Sequence, residues 1–407
     1  MSTQSQLALQ PGDALGVLGG GQLGRMMAHA AQAMGLEVIV LDPDANGPAA
    51  QVAQGLVQTA YDDPAGWMQL AQQVQAVTTE FENVPAQALQ ALAELKPVSP
   101  GAHSVAIAQD RAAEKAHFKA CGVPVAPHAV LHSINDVAQI DDALFPGILK
   151  TTRLGYDGKG QVRVPKRSDF NAAWQSLQKP GAPPVTCVLE AQLPLDWECS
   201  VLVARSHDGH CVSLPPQRNW HRDGILAVTE VGDDAVPIDM GQALTQAALA
   251  VAQGLAHVGV LCVEFFVLQP GPWQNRLGHW VVNEIAPRPH NSGHHSIDSC
   301  DVSQFELQVR CAAHWPLVTP RLHSPAVMLN LLGDVWQSTS GQTREPIWRE
   351  PNWSRVLALP GAHLHLYGKS EPRVGRKMGH LTFTASSLQA ARTQALCAAE
   401  VLGIAPW

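Results

Sequence analysis

Lys150-Thr-Thr-Arg-Leu-Gly-Tyr-Asp-Gly-Lys-Gly-Gln161 lies between two short apolar runs, Phe145-Pro-Gly-Ile-Leu149 and Gln161-Val-Arg-Val-Pro165. The pattern reads strand, glycine loop, strand. Gly155, Gly158 and Gly160 free the backbone to turn sharply and to approach a ligand closely. Such a loop can aim several N–H groups at a phosphate chain, and Lys150 and Lys159 add positive charge on either side. Taken alone, the segment is equally a glycine-containing hairpin that binds nothing. The rest of the chain decides between the two.

At 407 residues the chain is too long for one ordinary core, so two or three domains are expected. A composition of 46% hydrophobic and 15% charged residues is that of a folded protein with ample burial capacity. A net charge of −8 argues against a nucleic-acid surface, while leaving room for local basic pockets. No basic segment leads into an apolar core at the amino terminus, and no run has the length of a membrane span. The eight cysteines never form a C-x-x-C pair and sit mostly among apolar residues, which predicts buried free thiols and a cytoplasmic protein.

Residues 14–100 alternate strand and helix. Ala14-Leu-Gly-Val-Leu18, Glu37-Val-Ile-Val-Leu41 and Ala76-Val-Thr-Thr-Glu80 are the strands. Leu23, Met26, Met27, Ala30 and Met34 recur at helical spacing up to Gly35. This predicts a doubly wound α/β unit with a parallel sheet. Gly19, Gly21 and Gly24 fit G-x-G-x-x-G, and Asp42 ends the next strand, so a nicotinamide-dependent dehydrogenase is a rival reading. A glycine turn at a helix N-terminus binds any anion, however, including a mononucleotide phosphate.

Beyond Gln109-Asp-Arg111 a helix gives way at Pro124 and Pro127 to antiparallel, strand-rich sequence running to about 205. A helix near 240–257 precedes two strands, Val260-Leu-Cys-Val-Glu-Phe-Phe-Val267 and Trp280-Val-Val-Asn-Glu-Ile285, joined by what reads as a long hairpin loop over residues 269–279. The chain closes in short strands and an alanine-rich helix over 385–402.

Glu264 and Glu284 each sit inside an otherwise apolar strand, where a carboxylate is costly unless paired or bound to metal. Two that face each other repel, and Mg²⁺ (or Mn²⁺) shared with phosphate oxygens would relieve that. The competing reading pairs each with an arginine such as Arg288. Glu190 ends a strand and Glu198 follows a proline-interrupted turn; either could accept from an adenine amine or a ribose hydroxyl, or lie in solvent. Lys369, Arg373, Arg376 and Lys377 crowd one segment whose glycines, Gly368, Gly375 and Gly379, suggest an ordered loop and a phosphate pocket.

The chain resembles the ATP-grasp superfamily and, within it, the 5-(carboxyamino)imidazole ribonucleotide synthases. The resemblance is carried by Gly16-Val-Leu-Gly-Gly-Gly-Gln-Leu-Gly-Arg-Met26, Thr79-Glu-Phe-Glu-Asn-Val-Pro85, Gln109-Asp-Arg111, the glycine loop, Asn283-Glu-Ile-Ala-Pro-Arg-Pro-His-Asn-Ser-Gly-His294 and Gly375-Arg-Lys-Met-Gly-His380. It implies three domains with α/β and α+β character: a doubly wound α/β domain over 1–109, an ATP-grasp domain over 110–316 with its lid at about 125–205, and a small β-rich domain over 317–407. It also implies carboxylation of 5-aminoimidazole ribonucleotide by ATP and bicarbonate through carboxyphosphate, in a cytoplasmic homodimer able to pass its product to a downstream mutase.

The family roles carry over to named positions. Arg111 and Lys150 would contact ATP phosphates, under a lid formed by Gly155, Tyr156, Asp157, Gly158, Lys159, Gly160 and Gln161. Glu190, Ala191, Gln192 and Leu193 would meet the adenine edge, with Glu198 on the ribose and His221 nearby. Glu264 and Glu284 would hold the metal. Asn283 would stand beside them, although strict strand alternation turns it away. Gly20, Gly21, Gln22 and Leu23 would face the ribonucleotide phosphate gripped by Lys369 and Arg376. Tyr156, Asp157, Arg288 and His290 would surround the reacting amine and bicarbonate. The 269–279 loop looks longer than the family needs. Other ATP-grasp ligases share the lid and the acidic strands but not the Arg-Lys-Met-Gly-His block. A non-catalytic nucleotide-binding regulator would not need the paired acids.

Overall fold

The computed structural model describes residues 8–153, 155, 160–178, 181, 183–338 and 347–407. Tyr156, Asp157, Gly158 and Lys159 therefore lie outside the described residues. Strands β1 (Ala14–Leu18), β2 (Glu37–Leu41), β3 (Gly55–Val57), β4 (Ala76–Thr79) and β5 (Val98–Ser99) form a parallel sheet in the order β3-β2-β1-β4-β5. All five residues of central β1 are buried. Leu15 and Val17 share a core with Met26 and Met27 of helix α1 (Gln22–Ala33). Leu18 packs on the other face with Leu70 of α2 (Pro64–Gln73), Leu89 of α3 (Ala86–Ala93) and Val105 of α4 (Ala102–Ala108). Coverage on both faces is why these strands read as unbroken apolar runs.

Helix α5 (Arg111–Ala120) starts at Asp110, whose Oδ1 accepts the N–H groups of Ala112 and Ala113. Strands β6 (His128–Leu131), β7 (Gly147–Thr151), β8 (Gln161–Val164) and β9 (Cys187–Ala191) make an antiparallel sheet ordered β6-β9-β7-β8, with α6 (Phe170–Leu177) between β8 and β9. The glycine segment is indeed a hairpin: β7 and β8 pair from Gly147↔Val164 to Lys150↔Gln161.

Strands β10 (Leu195–Arg205), β11 (Cys211–Ser213), β12 (Gln217–Arg222), β13 (Ile225–Val231), β14 (Gly259–Leu268) and β15 (Trp280–Ala286) follow, with α7 (Ile238–Gly254) before β14. The 269–279 segment is more than a loop. It contains a short helix, α8 (Pro272–Leu277), flanked by Gly271 and Gly278, with Trp273 and Leu277 packed on the core of the β6-β9-β7-β8 sheet.

Helices α9 (Ser296–Ser299) and α10 (Gln304–Ala312) lead to β16 (Ala326–Leu332), β17 (Gln337–Ser338), β18 (Ile347–Trp348), α11 (Trp353–Leu357), β19 (Ala362–Leu366), β20 (Lys377–Thr384) and α12 (Leu388–Leu402). The C-terminal strands continue the central sheet, ordered β15-β14-β10-β12-β13-β16-β20-β19 with β11 beside β10. Leu329, Leu381 and Phe383 share one core with Val201 and Val263, so the last segment is stabilised by the sheet it extends.

Candidate active site

The first glycine turn is already full. Glu80, at the end of β4, accepts the N–H groups of Gly21 at 2.6 Å and Gly24 at 2.7 Å. Asp42 accepts that of Gly20 at 2.5 Å and the hydroxyl of Tyr61. A Cβ at Gly21 would lie 2.4 Å from Glu80 Oε1, so only glycine admits the carboxylate. Protein carboxylates thus stand where a dinucleotide pyrophosphate would have to bind. NADH is therefore expected to show no saturable binding; micromolar binding followed by nicotinamide fluorescence would restore the dehydrogenase reading. Of the early N–H groups that no helical carbonyl can take, those of Gln22 and Leu23 remain, and both residues line a cavity.

That cavity, about 400 Å³, is one of two that meet. It runs from Gln22 and Leu23 past Glu80, Glu82, Arg288 and Lys377 to Arg111, Glu264, Glu284 and His290. The second, about 450 Å³, is lined by Lys150, Gln161, Glu190, Ala191, Gln192, Leu193, Glu198, His221 and Asn283, and shares Arg111, Glu264, Glu284 and His290 with the first. The glycine hairpin spans both, with Lys150 and Gln161 in the second and Gly155 in the first. Gly160 takes φ +72°, as the sequence suggests for the loop, and its carbonyl accepts the N–H of Thr151 at 2.9 Å.

Glu190 lines the second cavity and holds two lysines. Its two oxygens are taken by Lys115 at 3.1 Å and Lys150 at 3.2 Å, and all three residues are buried. Burial opposes the carboxylate charge, but the lysines hold its pKa down at about 2. The side chain therefore anchors two cations, and it lines the second cavity together with Ala191, Gln192 and Leu193. Lys115 was not singled out from sequence; it lies four residues after Arg111 on α5, a helical spacing that brings both to one face. Glu198 meets His221 Nδ1 at 2.6 Å across β10 and β12, and holds that imidazole's pKa up despite burial.

Glu264 and Glu284 lie on antiparallel neighbours, as expected. Pairing passes from Val263↔Ile285 to Phe265↔Val282, so Asn283 and Glu284 together oppose Glu264. This β-bulge breaks the alternation that would have turned Asn283 away, and both side chains line the second cavity. Burial and the nearby Glu284 push the Glu264 carboxyl above its usual range. His290 Nε2 lies 3.2 Å from Glu264, and Arg111 lies 3.1 Å from Glu284. Arg288 pairs with Glu82 and with neither strand carboxylate. Glu114, also missed from sequence, lies beneath; it accepts the Ile285 N–H at 2.7 Å, and burial with Glu284 nearby raises its pKa to about 8. Two carboxylates and a side-chain amide facing a polar cleft are a hard-oxygen donor set that fits Mg²⁺.

Lys377 lines the first cavity, whereas Lys369 and Arg376 are not among its lining residues. The Lys369 ammonium donates to the Lys377 carbonyl at 2.7 Å, and its pKa falls to about 8 through burial and the adjacent Arg376. The loop is ordered by φ +76° at Gly368 and φ +73° at Gly375, and Gln51 donates to the Gly368 carbonyl at 2.9 Å, tying it to the first domain.

An ATP-grasp domain model matches residues 116–305, and a ribonucleotide synthetase preATP-grasp model matches residues 13–109. Fold and cleft together define an ATP-grasp enzyme. A phosphoribosylaminoimidazole carboxylase C-terminal domain model matches residues 326–394. The chain is 40% identical to the N5-carboxyaminoimidazole ribonucleotide synthase of Brucella melitensis, over 92% of this chain and 97% of that protein. It is 37% identical to the Staphylococcus aureus (strain COL) synthase, over 92% and 93%. It thus belongs to the N5-carboxyaminoimidazole ribonucleotide synthase family. The Staphylococcus aureus enzyme complexed with ADP superposes with a TM-score of 0.84 at 34% identity, over 96% of this chain and 98% of that one. The Aspergillus clavatus enzyme in complex with ADP and 5-aminoimidazole ribonucleotide gives 0.83 at 28%, over 97% and 99%.

Proposed function

We propose that the chain joins bicarbonate to the amine of 5-aminoimidazole ribonucleotide at the expense of ATP, giving 5-(carboxyamino)imidazole ribonucleotide, ADP and phosphate, as a carbon–nitrogen ligase of purine biosynthesis. The observation that carries this is the junction: two cavities of substrate size meet at Glu264, Glu284, Arg111 and His290. ATP occupies the second, its base against Ala191, Gln192 and Leu193, its ribose near Glu198 and His221, and its phosphates along Lys150 and Arg111. The ribonucleotide occupies the first, its phosphate toward Gln22, Leu23 and the Lys369–Arg376 loop and its amine toward Arg288 and His290. Bicarbonate between them attacks the γ-phosphate, and the resulting carboxyphosphate delivers its carboxyl group to the amine. Transfer of the phosphoryl group is served by positioned charge, which Arg111 and Lys150 supply. Mg²⁺ held by Glu264 and Glu284, beside Asn283, would neutralise the phosphate oxygens when bound. The glycine hairpin, spanning both cavities, keeps water from the acyl phosphate; Tyr156 and Asp157 belong to it by sequence.

Among the described residues no helix is long and apolar enough to cross a membrane. Five of the eight cysteines are buried and all are free, which supports the cytoplasmic reading; a homodimer and hand-over of product to a mutase follow from the family resemblance. ADP release from Mg·ATP, with ribonucleotide and bicarbonate added singly and together, tests the proposal. Turnover that requires the ribonucleotide, with labelled bicarbonate carbon in an acid-labile product, is expected. Indifference to the ribonucleotide together with a response to another amine would discard this substrate.

A further inference from the structure

The geometry points to His294 as an additional ribonucleotide-binding residue: a neutral imidazole that presents its Nε2–H to an oxygen of the ribose phosphate, with Gln304 fixing the tautomer. The inference builds on the placement of the ribonucleotide in the first cavity. His294 lines that cavity together with Arg288 and Lys377. Its ring is wedged among Phe305 (centroids 5.6 Å apart), His380 (4.9 Å) and the edge of Tyr367 (6.3 Å), so its direction is set by packing.

The protonation pattern follows from the neighbours. Gln304 Oε1 accepts the backbone N–H of His290 at 2.7 Å, and Gln304 Nε2 donates to the carbonyl of His290 at 2.8 Å. A peptide N–H can only donate and a carbonyl can only accept, so these two bonds identify the ends of the amide. The same Nε2 lies 3.0 Å from His294 Nδ1 and must donate to it. Nδ1 is therefore an acceptor. Burial, with Lys377 and other cationic groups close by, holds the ring pKa well below its ordinary value, and the single proton of the neutral ring sits on Nε2. Among the described residues no acceptor meets that N–H, and unlike Nε2 of His380 it is not sealed inside the protein. A donor that no protein group meets and that opens onto a cavity is free to bond what enters the cavity.

The surrounding side chains support the wall and do not form a metal centre of their own. Asp298, His365 and His380 bring ligand atoms close together, but the His365 and His380 rings are stacked at 4.4 Å with planes only 12° apart. Imidazole lone pairs lie in the ring plane, and near-parallel planes do not converge on one ion. Instead Asp298 accepts from His365 Nε2 at 2.9 Å, His380 Nδ1 bonds the Tyr367 hydroxyl at 3.0 Å, and the Lys369 ammonium lies 5.7 Å from the Tyr367 ring centroid. The network joins the His294 wall to the loop that carries Lys369.

Two variants separate the donor from the packing. His294→Phe keeps a ring and loses the N–H, whereas His294→Gln places an amide N–H near the position of Nε2. For His294→Phe the KM for ribonucleotide should rise about tenfold or more, with the KM for ATP within about twofold, and His294→Gln should recover most of the loss. In ¹⁵N-histidine-labelled enzyme, long-range ¹H–¹⁵N spectra should show His294 as the neutral Nε2–H form, its Nε2 resonance moving on addition of ribonucleotide and not of ADP. An unchanged KM in His294→Phe, equal losses in both variants, or an Nδ1–H tautomer would each overturn the assignment. Failure of the carboxylation reading would look different: wild-type enzyme without ribonucleotide-dependent ADP release.

Discussion

Replacing Glu284 by Gln is expected to abolish ADP release, lowering kcat by about 10³-fold or more, while the protein keeps its fold. Several kcal/mol of charge stabilisation from a metal at the transferring phosphoryl group corresponds to a factor of that order. The structural side of the change is mild. Glu284 sits on the β-bulge with its side chain 41% exposed, and Gln can still accept from Arg111 at the 3.1 Å contact. The chemical side is severe, because an amide oxygen carries no charge for a hard cation. Glu264 alone does not compensate: a single carboxylate supplies half of the charge the pair offers a divalent cation, and burial still disfavours its ionised form. Circular dichroism and melting should match the wild type while a coupled ADP assay at saturating Mg²⁺ reads background. Activity retained at ordinary Mg²⁺ would remove Glu284 from the metal set.

The second large effect is at Lys369. Its ammonium is half-buried, donates to the Lys377 carbonyl, and is destabilised by burial and by Arg376 to a pKa of about 8. A cation kept among cations is poised for an anion. Lys369→Ala should raise the KM for ribonucleotide about 10–100-fold, the range of a lost hydrogen bond to a charged group, and leave the KM for ATP nearly unchanged. The pH dependence has a definite sign. The charged form binds phosphate and lies below a pKa of about 8, so kcat/KM for ribonucleotide falls as pH rises through that value. Glu80 opposes the shift while Arg376 and Lys377 drive it. The variant should lose this alkaline limb. Equal increases in both KM values would instead assign Lys369 a structural role.

Much of this was legible in the chain because the signals are local. The apolar runs of β1, β2 and β4, the β7–β8 hairpin around its glycines and the neighbouring strands bearing Glu264 and Glu284 all follow from period and turn chemistry. The short elements, such as α8 within 269–279, carry too few residues for a period to show. Side-chain placement failed where partners are distant in sequence. The ion pairs of Glu190 with Lys115 and Lys150 were not legible, and Arg288, offered as a partner for the strand carboxylates, pairs with Glu82.

The sequence alone determined the class of chemistry: a glycine hairpin beside lysines, two acids in adjacent strands and a basic loop, each set by residue types within a short window. Only the tertiary structure decided which charges are available. Glu80, 59 residues from Gly21 along the chain, fills the turn that otherwise reads as a dinucleotide site. A one-residue bulge turns Asn283 toward the second cavity, and the amide of Gln304 sets where the proton of His294 lies. Burying a charge or an N–H obliges it to find a partner wherever the fold brings one, and that choice is made in three dimensions.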